Sequence, residues 1–177
     1  PLGTVKPIQK EIKSLENNKL FINFDAKSGE LLFSKLKNYP IKLGAIDSVV
    51  ILDYDKKRYT AASNIQIKDE QSIPTNLPNI TLTKKIALVE DSHQILVTNN
   101  IFNNSNQNLY VRNYEIISRD NNSAASLMLP TYTGSAFYDR ENKFSKISFD
   151  DMLESEQAIR VQDSWISMIE HYFFSAW

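Results

Sequence analysis

The chain has no cysteine, which excludes a disulfide framework, a thiolate metal site and a cysteine nucleophile together. Imidazole is almost as scarce, His93 and His171 being its two histidines. Four glycines, Gly3, Gly29, Gly44 and Gly134, are too few and too scattered to build a phosphate-binding loop. No apolar stretch approaches the roughly 18 residues that a membrane helix needs, and the densest run, Val49 to Leu52, is strand-sized. Neither sign of charge dominates: 20 basic residues stand against 21 acidic ones, for a formal net charge of -1, so nucleic acid is not implied as a partner.

What is present suits a folded domain. The 177 residues are 42% apolar and 23% charged, enough for one domain that buries roughly 70% of its unfolded surface. From residue 18 to about 147 the apolar pattern has a period near two. Leu20, Ile22 and Phe24 alternate, Asp25 to Gly29 supplies turn chemistry, and Leu31, Phe33 and Lys35 resume the alternation, which predicts a hairpin. Further strands are expected over 48–53, 57–67, 80–90, 93–103, 108–119, 125–132 and 134–138, separated by Asn, Ser, Pro and Asp clusters. Alternation of this kind suits antiparallel sheets with one face buried, and many short strands in series favour a sandwich. With glycine scarce, Asn and Asp must supply the left-handed backbone of the turns.

The two ends read differently. Pro1-Leu2-Gly3 resembles the scar of tag removal, and residues up to 17 read as a polar leader. Near residue 148 the period changes. Ser148 and Asp151 form a capping-box pattern, with Ile147 and Met152 as a hydrophobic staple, which predicts a helix over about 149–157. Asp163 or Ser164 can cap a second helix whose Trp165, Ile169, Tyr172 and Ala176 recur at helical spacing, beside Ile166, Phe173 and Trp177. The aromatic cluster Tyr172 to Trp177 suits a chain about to enter a membrane, and equally an amphipathic helix docked on the core. From Asp150 to Trp177 six carboxylates face Arg160 alone, a solvated outer face or a docking surface for a basic partner.

Candidate chemistry is thin. Asp91, Ser92 and His93 are adjacent, and on a strand adjacent side chains point to opposite faces, so they cannot form a hydrogen-bonded triad. Asp53-Tyr54-Asp55 begins like a calcium loop, but Lys56, Lys57 and Arg58 stand where more oxygen ligands are needed. The same basic residues between Tyr54 and Tyr59 are a weak footprint for single-stranded nucleic acid. Asp150, Asp151, Glu154 and Glu156 are accounted for by a helix N-terminus. No cofactor or metal is implied, and the residues argue against an enzyme and for a binding or spacer domain.

Three stretches carry a resemblance. Trp165-Ile166-Ser167-Met168 with His171 to Trp177, Thr131 to Tyr138 followed by Lys143 to Lys146 and Phe149-Asp150, and the hairpin Leu20 to Lys42 together resemble the large periplasmic domain of the YidC-type membrane protein insertases of bacteria. Asp163-Ser164 departs from the small residues common before this tryptophan, and the chain is shorter than many relatives. The resemblance implies a mainly β fold, an antiparallel β-supersandwich like that of galactose mutarotases, over residues 18–147. It implies two C-terminal α-helices over 148–177 that lead to a membrane helix, with Trp165, Ile169, Tyr172, Phe173 and Trp177 on an interaction or coupling helix. It also implies a non-catalytic module in the periplasm, held at the inner membrane by the rest of its own chain. Its expected partners are the Sec translocon, SecDF and nascent membrane proteins. The alternative is a mutarotase-like, carbohydrate-binding or sugar-epimerising protein, which would need His93 and a carboxylate to converge in a pocket. An apolar cleft between the sheets that binds unfolded peptides is a third reading. If the Trp165 indole is buried, Trp165→Ala costs ~3 kcal/mol or more in a denaturant melt; an unchanged midpoint would mark that face for a membrane or a partner.

Overall fold

The structure, a computed structural model, describes residues 9–56, 59–68, 79–120, 132–141, 143–154 and 163–177. Within these, period-two alternation builds strands. The first sheet has the order β1 (Ile12–Glu16), β2 (Leu20–Asp25), β3 (Leu31–Pro40), β5 (Tyr59–Lys68), β8 (Tyr110–Arg119), with β4 (Ser48–Asp53) also paired to β3. β6 (Ile80–Leu88) and β7 (Ile95–Asn103) form a separate hairpin, and a third sheet has the order β10 (Lys143–Ile147), β9 (Thr133–Asp139), β11 (Trp165–Glu170), β12 (Phe173–Ala176). All the pairings are antiparallel.

The expected first hairpin forms, with Leu20 opposite Leu36 and Ile22 opposite Ser34. Its turn is organised by Asp25. The carboxylate accepts from the Glu11 and Lys27 N–H groups, each at 3.1 Å, and from the Ser28 hydroxyl at 3.1 Å. Gly29, at φ 71, donates its N–H to the Asp25 carbonyl at 2.7 Å. Alternation puts Leu20, Ile22 and Phe24 on the inner face, while Phe21 and Phe33 meet edge to face on the other. The inner face collects Leu31, Ile51, Leu52 and Ala61 into one buried cluster. Register slips in the β3–β4 ladder beside Ser34, whose buried hydroxyl accepts the Leu52 N–H at 3.2 Å.

The other two sheets cover this face. Ile86, Leu88 and Ile95 of the β6–β7 hairpin pack on the cluster, as do Phe173 and Trp177. Lys84 pins the hairpin down, its ammonium donating to the Ser28 and Ser63 carbonyls at 2.7 and 2.6 Å. Its stem runs so close to Gly29 that a Cβ there would lie 2.2 Å from the Lys84 Cδ. At the opposite end Asn17 donates to the Val89 and Ser92 carbonyls, both at 2.8 Å.

Several sequence expectations are corrected. The second C-terminal helix does not exist: Trp165 to Ala176 is the β11–β12 hairpin, turning at His171 and Tyr172 with His171 at φ 54. Helical spacing of Trp165, Ile169, Tyr172 and Ala176 coexists with the alternation Phe173, Ser175, Trp177. The alternation wins because β9 offers six consecutive partners, Tyr138 to Thr133, to this β-branched and aromatic segment. The first helix is real, Phe149–Glu154, and its capping box is made: Asp151 N–H donates to the Ser148 hydroxyl oxygen at 3.1 Å, and Ser148 N–H to the Asp151 carboxylate at 3.0 Å. The rest of that expected helix, 155–157, lies outside the described residues, as do 121–131 and hence most of the expected strand 125–132. The polar leader expected up to residue 17 is corrected as well, since Ile12–Glu16 is β1, paired to β2, and Lys143–Ile147 is a further strand, β10. His93, expected at the start of the strand 93–103, sits in the connection between β6 and β7.

Backbone N–H donation, that of Lys27 foremost, holds the Asp25 carboxyl below the usual carboxylate range against the opposing effect of its burial. A depressed folded value stabilises above the unfolded value and is lost as pH falls through the folded one. Asp25→Asn is therefore expected to cost about 1–2 kcal/mol at neutral pH. In urea melts followed from pH 7 to 3 the gap to the parent should close below about pH 4; a gap constant with pH would contradict this account of the turn.

Candidate functional site

Where the inner face of β3 and β4 meets the β6–β7 turn and the C-terminal hairpin, a cleft of about 850 Å³ remains. Leu31, Ile51 and Ser34 form part of its wall, and Tyr39, His93 and Tyr172 are among the residues at its lining. Three aromatic rings from three different sheets or connections stand in a row here. Tyr39 meets Phe173 edge to face at 5.5 Å and lies 5.9 Å from the His93 ring. No charged residue lines the cleft among the described residues.

The third sheet is fixed to the first by charge as well as by apolar contact. Arg119, at the end of β8, has a side chain only 3% exposed, and its guanidinium reaches the Glu170 carboxylate of β11 at 3.3 Å. Such a pair adds little net stability, because desolvation consumes the Coulombic gain, and Asp120 also stands 4.0 Å from the Arg119 guanidinium. The pair's value is positional, since it sets where β11 sits over the sheet.

On its other face the third sheet is built around small residues. Gly134, Ala136 and Ser167 lie side by side in the β9–β11 ladder, and Ala136 and Ser167 are buried. Tyr132 explains Gly134. A Cβ at that position would stand 2.6 Å from the Tyr132 hydroxyl oxygen, which is within hydrogen-bond distance of the Ser135 and Ile147 carbonyls at 2.6 and 2.9 Å. Burial pushes the Tyr132 phenol up, so it stays a neutral donor.

The five residues expected on one helix face are distributed over both faces and the turn of a hairpin. Phe173 and Trp177 point inward onto the core cluster. Trp165 lies on the opposite face, 36% exposed, stacked on Tyr138 at 6.0 Å and tilted to Phe144 at 6.1 Å. Ile169 shares that face, opposite Phe174 and Gly134, and Tyr172 projects from the turn, 76% exposed. The structure thus brings Phe173 and Trp177 together with the cleft and leaves Trp165 outside it.

Adjacency in the sequence did not make a catalytic site either. Asp91, at φ 51, pairs with Lys19 at 3.3 Å and accepts from Asn18 at 2.7 Å, while the Ser92 hydroxyl oxygen accepts from the Gln94 N–H at 3.1 Å. Asp53 pairs with Lys56 at 3.3 Å in a charged turn. Among the described residues no group of three or more His, Asp or Glu side chains could hold a metal ion. Tyr39 and the Arg119–Glu170 pair were missed by sequence reasoning; a Tyr-Pro pair ending a strand and a lone Glu in an apolar hairpin are weak signals.

Phe173→Ala should cost about 2–3 kcal/mol, because it opens the core beneath the cleft. Trp165→Ala should cost about 1 kcal/mol, the worth of an aromatic stack on an outer face. Denaturant melts that reverse this order would contradict the alternation assigned to the hairpin.

Comparison with known proteins matches residues 66–177 to the YidC periplasmic domain family. A membrane protein insertase YidC of Shewanella halifaxensis is 26% identical over 95% of this chain and 37% of its own length. That of Actinobacillus succinogenes is 26% identical over 93% and 36%. That of Methylobacillus flagellatus is 40% identical, but over 49% of this chain and 16% of its own length. The chain spans somewhat over a third of the full-length relatives that it matches nearly end to end. The aromatic C-terminal hairpin, the Tyr132–Gly134 sheet and the buried Arg119–Glu170 pair all fall inside the matched region, and the chain belongs to the YidC periplasmic domain family.

Proposed function

We propose that this chain is the periplasmic module of a YidC-type membrane protein insertase of the bacterial inner membrane, a non-catalytic domain that binds other proteins. The observation that carries the reading is the C-terminal hairpin. Its inward face, Phe173 and Trp177, is part of the core, while Tyr172 and Phe174 stand 76% and 66% exposed beside the cleft. A partner held there would be read by aromatic side chains on a rigid support, the kind of residue that dominates binding energy at interfaces.

The partners proposed are Sec translocon components, SecDF among them, and nascent membrane proteins, with the membrane part of the insertase as the remainder of the same chain. An arrangement of the three sheets like the supersandwich of galactose mutarotases goes with this reading. Sugar chemistry does not, because a general acid and base must converge on the substrate, and among the described residues that line the cleft His93 has no carboxylate beside it. No cofactor is needed for such a role.

A photo-cross-linking phenylalanine analogue placed at Tyr172 or Phe174 in the full-length insertase is expected to capture Sec components or nascent membrane proteins. The same group at Ser105, in the β7–β8 connection, should capture far less. Equal capture at all three positions, or saturable binding of a hexose abolished by His93→Ala, would overturn the reading.

A further inference from the structure

The connection between β3 and β4 has an unusual tip. Leu43 and Ile46 are as exposed as in an extended peptide, at 103% and 100%, with Ile41 at 57% beside them. A single exposed leucine is ordinary, but three large aliphatic side chains on one seven-residue connection, 41–47, are not. Nothing in the local fold requires them: Leu43 and Ile46 take no part in the core cluster.

Two backbone hydrogen bonds close the tip. Ile41 N–H donates to the Asp47 carbonyl at 2.9 Å, and Ala45 N–H donates to the Lys42 carbonyl at 3.0 Å. Gly44, at φ 77, occupies the left-handed third position of that tight turn, where any side chain would be strained, and Leu43 is held at its corner. Backbone groups already paired within a turn are cheaper to carry into a medium that offers no hydrogen bonds.

The surroundings share the same character. From Tyr39 to Ile46 the sole charged residue is Lys42, and carboxylates are absent until Asp47. Tyr39 at the base, 44% exposed, touches Phe173 and so joins the tip to the hairpin turn with Tyr172 and Phe174. Aliphatic side chains at an apex, aromatic rings behind them and a lysine beside them are the composition of a group that sits in the headgroup boundary of a bilayer.

We propose that the β3–β4 tip, led by Leu43 and Ile46, inserts shallowly into the surface of a lipid bilayer. A protein groove could also receive these side chains. Lipid is favoured by the two hydrogen bonds that close the turn, by Lys42, the one charge from Tyr39 to Ile46, which suits an anionic surface, and by the aromatic residues behind the tip. The reading as an insertase module enters only as the tether that would keep the domain near a membrane and turn weak insertion into frequent contact.

The absence of cysteine makes the test direct. Leu43→Cys labelled with an environment-sensitive fluorophore should shift to the blue on addition of phosphatidylethanolamine–phosphatidylglycerol vesicles and be quenched by brominated acyl chains. Ser105→Cys should do neither. In vesicle flotation, Leu43→Ser/Ile46→Ser should lower the bound fraction by about tenfold or more, with an unchanged melting midpoint showing that the fold is intact. No blue shift at Leu43→Cys, or flotation indifferent to the double variant, overturns the proposal. Loss of capture at Tyr172 by Sec components in the double variant, with no vesicle binding by the parent, would do so in favour of a protein partner. Because the vesicle assay uses the 177-residue chain alone, its failure is separable from failure of the insertase reading, which rests on cross-linking in the full-length protein.

Discussion

The inner face of β2, β3 and β4 carries Leu20, Ile22, Leu31 and Leu52, and the β6–β7 hairpin and the C-terminal hairpin are placed by the need to keep that face dry. No single neighbour does so. The β6–β7 hairpin brings Ile86, Leu88 and Ile95 to one part of it, and the last strand brings Phe173 and Trp177 to another. At roughly 25 cal/mol per Å² of apolar area, a face lined by several such side chains is worth more than the polar links between the sheets. Those links instead decide where each cover sits: Lys84 over the first hairpin turn, Asn17 against the β6–β7 connection, and Arg119 against Glu170. Where the two covers fail to meet, the cleft remains, so the same shared core that makes the fold also makes the candidate site.

Much of this was legible in the sequence. Alternation located most strands, because a half-buried antiparallel sheet writes its faces directly into the order of residues, as in Leu20, Ile22 and Phe24. The Ser148–Asp151 capping box was legible for the same reason, being a purely local hydrogen-bonding arrangement. The C-terminal hairpin was not. Within Trp165 to Trp177 apolar residues are dense enough to satisfy both periods, and no Gly or Asn marks the turn at His171–Tyr172. The deciding partner, β9, lies some 30 residues earlier in the chain. β1 was obscured differently, since its side chains are mostly exposed and its strand character comes from pairing with β2.

The candidate site was legible in its residues and illegible in its geometry. Phe173, Trp177 and Tyr172 were singled out as an aromatic cluster, but a helix would have aligned them on a stripe and a hairpin separates them between core and solvent. His93 was weighed with Asp91 and Ser92, its neighbours in sequence, whereas its actual neighbour is Tyr39, more than fifty residues away. Gly134 offers the opposite lesson: a motif recognisable by resemblance turns out to have a plain steric cause in the Tyr132 ring laid across it.

The pairing of Leu20 and Ile22 with Trp177 in one cluster joins residues from nearly opposite ends of the chain. A polypeptide made from its N-terminus therefore exposes its most apolar strands first and receives their final cover last. Until the closing hairpin is synthesised, the early strands are an open, sticky edge for any neighbouring extended segment. High contact order of this kind slows folding. The core of the domain is thus completed only once the closing hairpin has been made.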